Sequence, residues 1–161
     1  MLPLNLHNTR KAPVKQRQSS NQTPKTRALT RGICRFFSDL GCGSVTEFRL
    51  TNGRRVDVIS LNSNGHFFIT EIKTSVSDFR ADAKWPEYIP FCDQFYFAVP
   101  ENFPTQFLPN ACGLIIADSY NAFIKREAPH CPLHSTRRQH QLKRFALTAS
   151  ARLQRLSDPR T

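Results

Sequence analysis

The stretch His66 to Thr74, HFFITEIKT, constrains this chain more than any other. Its nearly unbroken apolar start lacks the alternation of a strand with one wet face. It reads instead as a strand covered on both sides, which requires a sheet with layers packed on each face. Yet the run ends in Glu71 and Lys73, ionisable groups that need a reason to be there, since burying a charge without a partner is costly. Two apart on a strand, their side chains share one face.

The neighbouring sequence supplies the rest of a domain. Leu29, Ile33, Phe36, Phe37 and Leu40 fall at helical spacing, so Arg27 to Leu40 is a helix, stopped at Gly41. Val45 to Thr51 is a strand that turns at Asn52-Gly53 into a second, Arg55 to Leu61. The cluster Asn62 to Gly65 then hairpins onto the HFFITEIKT strand. Ser75 to Asp78 has the form of a capping box opening a helix to about Trp85, ended by Pro86. Gln94 to Val99 and Gly113 to Ala117 are short buried strands, and Asn121 to Arg126 is an edge strand. Thr136 to Leu156 is a long amphipathic helix carrying Leu142, Phe145, Ala149, Leu153 and Leu156 on one side. The prediction is an α/β domain over 28–159, with a mixed central sheet flanked by helices. Residues 1–27 are polar, with Pro3, Pro13 and Pro24 and no apolar period, and read as a disordered tail.

The four-residue turn 62–65 sets a register in which Asp57 stands opposite residue 70 or 71. Carboxylates on opposed positions lie roughly 5 Å apart at Cβ. They repel unless a cation lies between them or one takes a proton. Such oxygen ligands suit Mg²⁺, with Mn²⁺ as a substitute, and an adjacent lysine suits a phosphate. The pattern points to metal-assisted phosphodiester hydrolysis by Asp57, Glu71 and Lys73. The competing interpretation is three solvated residues on a half-exposed sheet. A second triplet, Asp82-Ala83-Lys84, falls inside the expected helix, where i and i+2 diverge, and is set aside.

The net charge of +11 sits at the ends. Residues 1–27 hold six Lys/Arg and no acid, 135–161 hold seven against Asp158, and 28–134 hold ten against eleven acids. Basic flanks suit a polyanion, because neutralising phosphates releases counterions. A nucleic acid is the class of partner such flanks fit, DNA by the resemblance given below, and no membrane is expected, since no stretch is long and apolar enough. Five cysteines without a CxxC pair, and no continuous apolar leader, suggest free thiols in a cytoplasmic protein, which a DNA partner would make nucleoid-associated. His130, Cys131 and His134 match no zinc spacing.

The stretches NGRRVDVISL, FFITEIKTSVSDFRADAKWPEY, CDQFYFAVPENFP and GLIIAD resemble the MmcB-like family of bacterial DNA repair proteins, over about Ala28 to Pro159. The resemblance implies the PD-(D/E)XK superfamily and a restriction-endonuclease-like core. It implies Asp57, Glu71 and Lys73 as the catalytic triad, with Asp57, Glu71 and the Ile72 carbonyl as metal ligands and Glu47 as an accessory acid. Candidate DNA contacts are Arg54 and Arg55 beside the Asn-Gly turn, Arg80 and Lys84 on one helical face, and Arg137 and Arg138 on the last helix. Each also reads as a solvated or paired surface residue, and Trp85 as core packing. The expected function is a metal-dependent DNA repair nuclease. The alternative is a non-catalytic protein that keeps the fold, binds DNA and recruits other repair proteins.

Overall fold

A computed structural model describes residues 22–159. Most of the expected disordered tail thus lies outside the described residues, but its last part does not. Helix α1 (Pro24–Asp39) starts before Leu29, with Thr23 Oγ1 accepting from the Thr26 amide and Pro24 in the first turn. Proline fits there because that amide lacks a helical partner anyway. The helical spacing in the sequence starts this helix at Arg27, beside the first apolar residues, and so misses a polar capping turn.

Strands β1 (Gly43–Arg49), β2 (Arg55–Leu61) and β3 (Phe67–Ile72) form an antiparallel meander. Strands β4 (Gln94–Val99) and β5 (Gly113–Ala117) add in parallel, and β6 (Ala122–Arg126) closes the edge antiparallel. The order is β1-β2-β3-β4-β5-β6, one mixed sheet. Alternate residues of the central strands feed two cores. Phe67, Ile69, Phe95, Phe97, Leu114 and Ile116 enter one, beneath helix α3 (Ser135–Ser157). Ile72, Tyr96, Ala98 and Ile115 enter the other, beneath Leu29, Ile33 and Phe37 of α1. This double cover is what the unbroken apolar run demanded.

Two elements depart from expectation. Helix α2 (Val76–Ala81) stops four residues short of Trp85. Asp82 is extended, and its Oδ1 accepts from the Lys84 amide, a local bond that competes with further helix. Arg80 and Lys84 therefore do not share a helical face. Helix α3 docks through Leu142, Phe145 and Ala149, whereas Leu153 and Leu156, expected on the same buried stripe, are exposed. The apolar period outruns the sheet that it covers.

Candidate active site

The register brings acids from three strands into one row. Thr46 pairs with Val58 and Phe48 with Val56, so Glu47 lies level with Asp57. Val58 pairs with Thr70, and one further step sets Asp57 level with Glu71, one of the two partners that the turn length left open. Glu47 has φ +49°, the left-handed region that side chains with a Cβ disfavour. Arg152 of α3 donates to the Thr46 and Glu47 carbonyls at that distortion. The long helix therefore supports the site from behind.

Burial controls the electrostatics. Glu71 and Lys73 are 5% and 3% exposed, and Asp57 is partly buried. The Ile72 amide donates to Asp57 Oδ2 at 2.8 Å and fixes that carboxylate. Burial nonetheless pushes the Asp57 carboxyl up to about 6, against that bond and Lys73. Burial and then Asp57 push Glu71 well above the usual carboxylate range. Glu71 Oε1 lies 3.5 Å from Lys73 Nζ, while Oε2 is shut from water without a partner. Burial works against the Lys73 ammonium, but Glu71 and a 2.6 Å bond to Asp82 outweigh it and hold its pKa up.

These groups line a cleft of about 490 Å³ closed by Gln22, Thr23 and Thr26 at the start of α1 and by Ser75 and Asp78 of the α2 cap. Gln22 Nε2 also binds Glu47 Oε1, and Arg55 Nε lies 2.8 Å from Glu47 Oε2. Asp82, set aside in the sequence, is a site residue through its contact with Lys73. Only the short α2 and the turn that follows bring it there. Among the described residues no three His, Cys, Asp or Glu side chains are grouped so as to hold a metal ion. Two carboxylates, one with an orphaned oxygen, line the cleft beside Ile72 instead. That fits a cation such as Mg²⁺, which keeps several waters.

The expected DNA contacts divide. Arg55 stands at the site through Glu47. Arg54 grips Glu87 with two 2.7 Å bonds. Arg80 lies over the Phe107 ring, and Lys84 is exposed. Arg137 donates to the Pro90 carbonyl and covers Phe91. Arg138 is a structural residue, with both terminal nitrogens on Asp93 and others of its bonds on the Gly65 and Leu133 carbonyls. Trp85 packs on Phe95 and Phe97, as a core residue should. No helix among the described residues is long and apolar enough to cross a membrane.

Fold and site together define a mixed α/β protein with a buried carboxylate–lysine cleft at the ends of its central strands. The chain belongs to the MmcB-like family of DNA repair proteins, whose model matches residues 11–160. It is also similar to a solved structure, a protein of unknown function from Silicibacter pomeroyi. The two share 43% sequence identity at a TM-score of 0.82, covering 87% of this chain and 95% of that one. No curated protein matches the chain.

Proposed function

We propose that this chain is a Mg²⁺-dependent deoxyribonuclease of the PD-(D/E)XK, restriction-endonuclease-like type, which hydrolyses phosphodiester bonds in DNA repair. The observation that carries the reading is Glu71 Oε2, buried and unpartnered beside a second carboxylate whose pKa burial has raised. Such a pair is unfavourable by itself and becomes favourable once a cation joins it. Asp57, Glu71 and the Ile72 carbonyl would hold that cation, which when bound polarises a phosphoryl oxygen and lowers the pKa of water. Asp57 is oriented for this by the Ile72 amide. Lys73 stays protonated between Glu71 and Asp82, a fixed positive charge to meet the anionic phosphate. Asp82 positions Lys73, and Glu47 with Arg55 closes the row of acids.

The test is cleavage of labelled single-stranded, duplex and forked DNA with Mg²⁺ or Mn²⁺, comparing wild type with Asp57→Ala and Lys73→Ala. Metal-dependent cleavage by wild type alone is expected. DNA binding without turnover on every substrate would refute catalysis and leave recruitment as the function.

A further inference from the structure

Helix α1 carries a basic surface that its packing explains only in part. Arg27, Arg31 and Arg35 stand four apart, on one exposed face, and no acid pairs with them among the described residues. Lys25 and Arg27 occupy the start of the helix, whose first turn holds no acid. A helix dipole disfavours cations there, so stability does not account for the placement. The stripe ends at Tyr120, 65% exposed at the β5–β6 turn, with the Arg31 and Arg35 guanidinium groups 5.6 and 5.8 Å from its ring centroid. Two contacts hold this junction. Arg31 Nε donates to the Ser119 carbonyl, and Gly32 lets the helix ride on the turn, since a Cβ there would meet the Asp118 oxygen at 2.1 Å. The other end of α1, at Thr23 and Thr26, walls the catalytic cleft. From Thr26 to Arg35 the helix climbs roughly 13 Å, the length of a few nucleotides.

We propose that Arg27, Arg31, Arg35 and Tyr120 form the track along which a single strand of DNA reaches the cleft. Spaced cations follow a phosphate backbone, and an exposed ring stacks on a base only where bases are unpaired. This inference rests on the nuclease reading and names its substrate as a strand rather than a duplex.

The test is fluorescence anisotropy of labelled oligo-dT, with a duplex of equal length as comparison, in EDTA over a series of salt concentrations. Arg27→Ala/Arg35→Ala is expected to flatten the log–log salt slope by about 1 or slightly more. Tyr120→Ala should weaken strand binding by about tenfold, and Tyr120→Phe should restore it. Lys143→Ala, an exposed charge on α3, should leave the slope nearly unchanged. Wild-type slope and affinity in the double variant, tighter binding of duplex than strand, or no binding by wild type would each overturn the track. Cleavage with Mn²⁺ separates the two readings. Cleavage with a silent stripe refutes the track alone, and a lost slope without cleavage refutes the nuclease alone.

Discussion

Replacing Asp93 by Asn should be among the most damaging single changes outside the cleft. Asp93 is 1% exposed at the entry to β4, and its carboxylate gathers three parts of the chain. It accepts from the Phe67 amide at 2.8 Å and the Leu133 amide at 2.9 Å, and from Arg138 of α3 at 2.6 and 2.9 Å. Burial pushes its pKa up, but Arg138 and the two amides more than reverse this and hold it at about 2. Against an unfolded value near 3.8, that gap is about 2 kcal/mol of stability at neutral pH. Asparagine also turns an NH₂ toward one of the buried amides, which costs roughly 1–3 kcal/mol more. The sum, about 3–5 kcal/mol, agrees with what breaking a buried ion pair costs. Because the folded pKa is depressed, the contribution is complete above the unfolded value and is lost as pH falls through the folded one. The difference between wild type and Asp93→Asn should therefore shrink by about 1 kcal/mol between pH 6 and pH 3. Urea unfolding followed by the fluorescence of Trp85, the sole tryptophan, measures both quantities. A difference under about 1 kcal/mol at pH 6, or one that does not change with pH, would refute the argument.

Three further outcomes follow from the same geometry. Glu71→Gln removes a buried acid with an unpartnered oxygen, so it should raise the melting temperature in EDTA while abolishing cleavage and Mn²⁺ binding. A lower melting temperature would mean that Glu71 has a structural role. Conversely, Mn²⁺ should stabilise wild type in proportion to the logarithm of its concentration and leave Glu71→Gln unmoved, as read by thermal melts. Phe145→Ala should cost about 3–5 kcal/mol in urea unfolding, because the ring fills the space between Phe48 and Phe67 beneath α3. An unchanged unfolding midpoint would show that α3 is not a working part of the core.

The sequence by itself determined the sheet and the pairing at its centre. Turn signals at Asn52-Gly53 and Asn62 to Gly65, on either side of β2, leave the order of pairing little freedom, because a slip of one residue would turn every side chain to the wrong face. The turns narrowed the partner of Asp57 to residue 70 or 71, and the folded register chose Glu71. The docking of charges over long separations was decided only by tertiary structure. Asp82 reads as a helix-surface acid until α2 breaks early and delivers it to Lys73, nine residues away. Arg138 reads as a DNA contact until α3 folds back and seats it on Asp93, 45 residues upstream. Thr23 and Thr26 read as tail until α1 lays its first turn over the acids. Local patterns encode which face of an element is apolar, since period and propensity act over a few residues. Which charged group meets which depends on where whole elements pack, and that is settled by burial summed over the entire core.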